Sequence, residues 1–265
     1  MFGVAEVGSH YPLQAHLPPQ DSGELRALSD VNETILSHFL CLHELVQWWQ
    51  FVWLPLDNRH RIFLLSPANL AGIRANYVLR EGAASDLALR LRGEGVSIGE
   101  LFSFISGLYF RGKLAYANAF SATTHETPGS YVITATGRLV PPETVVTLEQ
   151  VSEMATNNID AADRRYRDPS DRACRSLSAN VKDCCDVVLL GSIATPKYVE
   201  PLIHIFGERL LFPLDFVGRG DMSRGGLMLR AVEAQKELSY GPVLNATRNG
   251  PRPPKLIPRA KRFST

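Results

Sequence analysis

Cysteine is scarce in this 265-residue sequence, and the four cysteines present are not spaced as partners. Cys184 and Cys185 are adjacent, Cys174 lies ten residues before Cys184, and Cys41 is far from all three in the sequence. This spacing fits neither a disulfide framework, a zinc site nor a redox pair. It therefore predicts buried thiols in a reducing compartment.

Long hydrophobic runs and a secretion signal are also missing. The most apolar stretch, residues 38–56, is interrupted by Glu44, two glutamines and two histidines, which makes it too polar to span a bilayer. Residues 1–20 lack the basic start and apolar centre of a signal peptide. The sequence therefore predicts a cytoplasmic protein that does not associate with membranes.

No excess of one charge is present overall, because 28 basic residues face 27 acidic ones and the net charge is +1. This balance argues against strong non-specific attraction to nucleic acid. Residues 246–265 are different: this proline-rich tail holds six basic residues and no acidic ones. Such a tail is typical of a nucleic-acid or acidic-partner contact, or of a chain terminus without fixed structure.

Several chemical motifs are missing as well. A phosphate-binding Walker loop is excluded because Pro196 stands before Lys197 where that motif needs glycine, and no glycine-rich dinucleotide fingerprint follows the first predicted strand. There is no H-E-x-x-H motif, no carboxylate cluster with metal spacing and no evident Ser–His–Asp arrangement. We therefore expect neither a bound metal nor an organic cofactor.

What the sequence does contain is a regular alternation of short apolar strands and longer helices. Strands are predicted at 61–65, 131–134, 186–190, 209–212 and 239–244, and helices at 101–120, 147–155, 170–181, 196–206 and 226–238. This order predicts an α/β fold, with a mainly parallel sheet flanked by helices on both faces in three layers.

Three parts of the chain are predicted: an N-terminal arm and helix (1–60), the α/β domain (61–245) and the basic tail (246–265). A helix is predicted at 30–51, and Trp48, Trp49 and Trp53 lie at or just after its end. A tryptophan cluster of this kind indicates either core packing or the seam of a docked partner.

Three loops follow predicted strands and are rich in hydroxyls, small residues and basic side chains. Ligands of parallel sheets bind beyond the carboxyl ends of the strands, where such loops offer N–H groups and positive charge. The same residue types also make ordinary turns and helix caps. The ligand-binding candidates in these loops are Ser66, Asn69, Arg74, Thr136, Arg138, Gly191, Ser192 and Lys197.

Two further segments supply candidates. In residues 218–226, Asp221 lies between Arg219 and Arg224. Either Asp221 accepts hydrogen bonds from a ligand as the catalytic carboxylate while Arg219 and Arg224 bind its phosphate, or the three residues form an Arg–Asp–Arg lattice that fixes the segment. In residues 106–113, two glycines cost a helix about 1 kcal/mol each, which close packing or ligand approach must offset. There Tyr109 or Phe110 would stack on a base while Arg111 or Lys113 binds phosphate, or the aromatic residues belong to the core.

Two stretches carry a resemblance to known proteins. Residues 108–117 (LYFRGKLAYA) and 132–145 (VITATGRLVPPETV) resemble a helix and a strand-turn of a family of uncharacterised bacterial α/β proteins, although Arg138 stands where that family has glycine. Residues 62–255 are similar to a wider group that shares Gly191-Ser192 and the segment 218–226. These families resemble proteins of the uracil-DNA-glycosylase type and of modified-nucleobase metabolism. The resemblance does not cover residues 1–60.

Two functions of different classes follow from these observations. The first is a protein that binds or processes a nucleotide, nucleoside or nucleic-acid base, as a metal-independent hydrolase or transferase that cleaves a glycosidic bond or modifies the base. The second is a non-catalytic protein that binds nucleic acid or a protein partner through its basic tail and its tryptophan-bearing helix. The first requires that the strand-end loops and Asp221 meet at one cavity.

Overall fold

The computed structural model describes residues 60–123, 127–181 and 185–257, all of which lie in Asp57–Thr265, the second of two units into which the chain divides. The helix predicted at 30–51, its tryptophans, Cys41 and Cys184 lie outside the described residues. Cys174 and Cys185 are both buried, as the sequence predicts for these two.

The described residues alternate strands and helices along the chain. The strands are β1 (Arg61–Leu65), β2 (Val96–Ser97), β3 (Ser130–Ile133), β4 (Leu139–Val140), β5 (Val145–Val146), β6 (Asp186–Leu190), β7 (Leu210–Pro213) and β8 (Tyr240–Pro242). The helices are α1 (Ile73–Leu79), α2 (Asp86–Arg92), α3 (Ile98–Ser106), α4 (Leu108–Phe120), α5 (Leu148–Thr156), α6 (Arg164–Asn180), α7 (Val199–Phe206) and α8 (Asp221–Glu233).

Six of these strands form one sheet in the order β4-β3-β1-β6-β7-β8. The four inner strands are parallel to one another, whereas the edge strands β4 and β8 pair antiparallel with β3 and β7. The short strands β2 and β5 pair with each other apart from this sheet. The predicted mainly parallel α/β architecture is confirmed.

Alternate residues of the central strand enter two separate hydrophobic clusters. Phe63 and Leu65 pack with the helices of one layer, which include α3, α4 and α8, whereas Ile62 and Leu64 pack with α6 and α7 on the other face. This separation follows from the two-residue side-chain period of a strand. Helices therefore cover both faces, and the three-layer prediction is confirmed.

The topology reverses direction between β1 and β6. The chain leaves β1 toward β3 on one side of the sheet, and it leaves β6 toward β7 on the other side. The connections from two adjacent parallel strands therefore diverge and open a crevice beyond their carboxyl ends, where ligands of such sheets bind. Ser66 and Gly191, the first residues after β1 and β6, stand at this crevice, and the Ser66 N–H donates to the Leu190 carbonyl at 3.3 Å.

Several helix boundaries differ from the sequence prediction. The helix predicted at 101–120 is two helices, because Gly107 between them has φ +59°. The helix predicted at 170–181 begins at Arg164 and contains Pro169. The helix predicted at 196–206 begins only at Val199.

The helix predicted at 226–238 is α8, which begins at Asp221 and ends at Glu233. The two glycines at 225 and 226 lower helix propensity, but tertiary packing outweighs that preference here. A Cβ on Gly225 would lie 2.6 Å from the Leu108 carbonyl oxygen, so glycine is what lets α8 cross α4 closely. Asp221 and Arg224 consequently lie on the first turn of α8, whereas the sequence placed them in a loop.

The described part of the basic tail, residues 246–257, lies along α8. The Pro254 carbonyl accepts a hydrogen bond from Arg219 at 3.3 Å, and the Ile257 carbonyl accepts one from Arg230. A Cβ on Gly218 would lie 2.2 Å from the Pro251 carbonyl oxygen, so the tail also passes closely over the start of this segment.

Candidate functional site

A cavity of about 490 Å³ lies at the carboxyl ends of β1 and β6. We call it the strand-end cavity. It is lined by the loop 66–71 after β1, by the loop after β6 and by residues 157–159 after α5. Six of the residues singled out in the sequence line it: Ser66, Asn69, Tyr109, Ser192, Lys197 and Asp221. The structure therefore brings four widely separated segments of the chain to one cavity.

Asp221 enters this cavity because it is the first residue of α8. Its side chain is 66% exposed, and its only contact among the described ion pairs is with Arg224 Nη1, 3.4 Å from Oδ1. Arg219 does not complete the expected Arg–Asp–Arg lattice, because its guanidinium binds the Asp215 carbonyl, Ser223 Oγ and the Pro254 carbonyl. The carboxylate is therefore free to accept a hydrogen bond from a ligand.

Arg224 is buried and binds the backbone, so its role is structural. It is 8% exposed, and its Nε and Nη2 donate to the Phe216 carbonyl at 3.2 and 3.1 Å. It thus holds the turn before α8 against the helix. Arg219 and Arg224 position the Asp221 segment, and neither lines the strand-end cavity.

Thr136 and Arg138 line a second cavity of about 630 Å³, with Arg165 and Arg172. We call it the arginine cavity. It shares Ala135, Asn157 and Asn158 with the wall of the strand-end cavity. Of the three predicted loops, the one after β3 therefore contributes its polar side chains mainly to this neighbouring cavity.

Arg74 and Arg111 are exposed and line neither cavity. Arg74 lies over Gly107, where a Cβ would approach its Nη1 to 2.5 Å. Phe110 is fully buried and packs edge-on against Phe102 at 5.4 Å between ring centroids, so it cannot stack on a ligand. For Phe110 the core alternative is confirmed.

Lys113 has an environment that the sequence did not suggest. Its side chain is 0% exposed, and Nζ lies 2.7 Å from Ser66 Oγ and 2.7 Å from the Ser66 carbonyl oxygen. Nζ also lies 3.9 Å from the centroid of the Tyr109 ring. Lys113 therefore contacts Ser66 and does not reach a ligand phosphate, and the ring face of Tyr109 that was expected to stack on a base is covered by Lys113.

Burial lowers the pKa of Lys113 to about 7, because the charged ammonium loses its hydration. The Asp221 carboxylate opposes this effect, and the Arg224 guanidinium adds to it. A lysine with this pKa is a neutral amine in a large fraction of molecules at physiological pH. Its neighbour Ser66 is 5% exposed and forms part of the cavity wall.

The glycine at 191 allows two hydroxyl groups to meet at this point. A Cβ on Gly191 would lie 3.1 Å from Tyr198 Oη and 3.2 Å from Ser66 Oγ. Tyr198 Oη donates to the Ser192 carbonyl at 3.2 Å, and burial raises the pKa of Tyr198 while its interaction with Ser66 opposes that rise. Because Gly191 has no side chain, it leaves room for these two hydroxyls, and it does not itself line the cavity.

The Tyr109 hydroxyl is another unusual group in the cavity wall. Tyr109 is 5% exposed, and its oxygen has no hydrogen-bond partner among the described residues. Burial raises its pKa, and the nearby Arg224 guanidinium opposes that rise. A buried hydroxyl without a partner is costly unless a ligand or water satisfies it.

Sequence reasoning missed three groups of the site. Asn157 and Asn158 line both cavities and follow α5, whose start is fixed by a Thr147–Gln150 capping box. The pair of asparagines directly after a capped helix was the available signal. Tyr198 was not singled out, because nothing in its sequence neighbourhood indicates that it contacts Ser66.

Among the described residues, no three His, Cys, Asp or Glu side chains form a group that could hold a metal ion. No helix in the same residues is both long and apolar enough to cross a membrane. Comparisons of the chain with protein-family models, with curated proteins and with solved structures give no match.

Proposed function

We propose that the strand-end cavity binds a nucleotide, a nucleoside or a nucleic-acid base, and that the chain acts on this ligand by hydrolysis or group transfer. The observation that carries the proposal is the meeting of Ser66, Ser192 and Asp221 in one cavity at the point where the sheet topology reverses. Ligand sites of open α/β sheets lie at such points.

The cavity wall has the chemistry that a base and a sugar require. The amides of Asn157 and Asn158 offer both donors and acceptors, which matches the mixed pattern of a base edge. Asn69 Oδ1 already accepts from the Ala71 N–H at 3.0 Å, so this residue offers mainly its amide donors. Asp221 supplies an acceptor for a ribose hydroxyl or an attacking water.

Basic side chains at both cavities can bind the phosphate of a ligand, although Asp221 also lines the strand-end cavity and Glu153, Asp160 and Asp163 also line the arginine cavity. Lys197 lines the strand-end cavity, and Arg138, Arg165 and Arg172 line the adjoining arginine cavity. Arg165 is paired with Asp163 at 2.7 Å, so Arg138 and Arg172 are the better phosphate ligands of the three. A base in the first cavity and phosphates toward the second would use both sets of groups.

Calorimetric titration of the full chain tests this proposal. The probes are free bases, nucleosides, nucleoside mono-, di- and triphosphates, and a single-stranded DNA oligonucleotide. Lys197→Ala should lower the affinity for phosphate-bearing ligands by about 10- to 100-fold, because a charge-assisted hydrogen bond contributes roughly 1.5–3 kcal/mol, and should leave the affinity for free bases unchanged. Lys236→Ala, an exposed lysine that lines neither cavity, is the matched control.

Asp221→Asn tests the catalytic role. Because the Asp221–Arg224 pair is largely exposed at Asp221, its loss should change stability little, while ligand turnover should be abolished. If the variant instead unfolds, the aspartate is structural. Absence of saturable binding with every probe would remove the proposed function.

A further inference from the structure

Lys113 is buried in a way that hydrophobic packing does not explain. Its side chain is 0% exposed, and within the part of the chain that the structure describes it forms no ion pair. Buried ammonium groups are ordinarily paired with carboxylates. The closest polar partners of Nζ are the hydroxyl and carbonyl oxygens of a single residue, Ser66.

The two 2.7 Å distances fit a neutral amine. A neutral Nζ has two N–H donors and one lone pair, so one N–H can donate to the Ser66 carbonyl while the lone pair accepts the Ser66 Oγ–H. The second N–H is then left for the Tyr109 ring, whose centroid lies 3.9 Å from Nζ. In this arrangement the Ser66 proton already points at a base.

We propose that Ser66 is a nucleophile with Lys113 as its general base, and that the pair transfers or hydrolyses an acyl group, as an ester or amide, on the ligand of the strand-end cavity. The proposal rests on the proposed function for the identity of that ligand. The nucleophile itself is argued from the geometry around Ser66. A serine hydroxyl beside an amine base is an established arrangement for acyl transfer.

The reaction balances with water as the second substrate. Ser66 Oγ bonds to the carbonyl carbon while its proton moves to the Lys113 amine, and the bond from that carbon to the leaving group then breaks as the Lys113 ammonium returns the proton to it. Water attacks the acyl-serine with Lys113 accepting its proton. The acid is released, and the proton returns to Ser66 Oγ.

Two neighbours shape this chemistry. Tyr198 Oη and Ser66 Oγ lie 3.1 and 3.2 Å from the position that a Cβ on Gly191 would occupy, so a methyl group there would separate the hydroxyls. Tyr198 can donate to the oxyanion that forms on the acyl group if it releases the Ser192 carbonyl. Ser66 lines the strand-end cavity, so a substrate carbonyl bound there lies next to this residue.

A fluorophosphonate probe tests the nucleophile directly, because its phosphorus accepts a serine oxygen and releases fluoride. The full chain is treated with the probe, and the labelled residue is identified by peptide mass mapping. Ser66 should be labelled, Ser66→Ala should lose the label, and Lys113→Met should slow labelling by about 100-fold or more. Ser176→Ala, at an exposed serine that lines neither cavity, is the matched control and should label as the native chain does.

The pH profile of labelling in the native chain needs no variant. The groups that face Lys113 are Asp221 and Arg224 from α8 and Tyr109 from α4, with Tyr198 beyond Ser66. Because the reactive form is the neutral amine, the labelling rate should rise several-fold between pH 6 and pH 8. A rate that is flat over this range contradicts the proposal even if Lys113→Met fails to fold.

The two proposals fail separately. If Ser66 is labelled but no nucleotide probe binds, the proposal that Ser66 is a nucleophile is supported and the proposal of a nucleotide ligand is rejected. Nucleotide binding with no labelling of Ser66, or with equal labelling in Ser66→Ala, removes the nucleophile and keeps the binding site. If a bound nucleotide protects Ser66 from the probe, both proposals are supported and the nucleotide binds beside the nucleophile.

Discussion

Replacing Lys113 by methionine should change how the stability of the protein depends on pH. Methionine has nearly the length of lysine and no titratable group, so it fills the same buried space without a charge. It also removes the two hydrogen bonds to Ser66, a loss that is nearly independent of pH. The pH dependence of the difference between variant and native chain therefore reports the Lys113 titration alone.

The magnitude follows from the two protonation states. Lys113 has a pKa of 10.5 in the unfolded chain and about 7 in the folded one. Between these values the unfolded state binds more protons, so the native free energy of unfolding gains up to about 1.4 kcal/mol per pH unit as the pH rises. From pH 7 to pH 9, Lys113 should therefore raise native stability by about 2 kcal/mol relative to the variant.

Urea unfolding followed by circular dichroism at pH 7, 8 and 9 measures this difference. The methionine variant should have its largest advantage at pH 7, and that advantage should shrink by about 2 kcal/mol at pH 9. Lys236→Met is the control, because this lysine is exposed and its difference from the native chain should be constant.

A Lys113→Met difference that stays constant within about 0.5 kcal/mol from pH 7 to pH 9 would refute the reasoning. It would mean that the Tyr109 ring, 3.9 Å from Nζ, and the Asp221 carboxylate stabilise the ammonium enough to cancel the effect of burial. Lys113 would then be a charged donor that fixes the end of β1, and it could not act as a base at neutral pH.

Two further predictions concern the packing that holds the site. Gly225→Ala should lower the free energy of unfolding by about 1–3 kcal/mol in urea titration, because its Cβ would lie 2.6 Å from the Leu108 carbonyl oxygen. Gly220→Ala is the control: open space surrounds its Cβ, so it should leave the free energy of unfolding nearly unchanged. Equal effects of the two alanines would contradict the close helix crossing. Tyr116→Phe should lower the free energy of unfolding by about 1–3 kcal/mol, because the Leu238 N–H donates to the Tyr116 hydroxyl at 2.8 Å and would lose that acceptor. An unchanged urea midpoint would show that this N–H finds another acceptor.

The sheet could be predicted from the sequence because its strands are short apolar runs with few competing interpretations. The predicted strand 61–65 coincides with β1, and 186–190 coincides with β6. Helix ends were harder to predict because tertiary contacts decide them. Glycines at 107, 112 and 225 lower helix propensity alike, yet the first ends a helix with φ +59° while the other two lie inside helices that cross closely.

The position of the cavity could be predicted, but the roles within it could not. Parallel strands must end at the same sheet edge, so the loops at 66 and 191 were bound to lie near each other once β1 and β6 were neighbours. A side chain on a helix gives no comparable constraint. Lys113 was equally able to face a ligand, solvent or the core, and only the crossing of α4 beneath the end of β1 places it against Ser66.

That crossing connects the glycines of the helices to the chemistry of the cavity. A Cβ on Gly112 would lie 2.8 Å from the Gly225 carbonyl oxygen, so α8 approaches α4 at the residue next to Lys113. The same approach sets Asp221, one turn earlier on α8, at the cavity edge and excludes water from Nζ. A wider crossing would hydrate the amine and return its pKa toward its usual value. The glycine pair therefore keeps Lys113 neutral enough to accept the Ser66 proton, and a bulkier residue at 112 should abolish probe labelling while Ser66 itself remains in place.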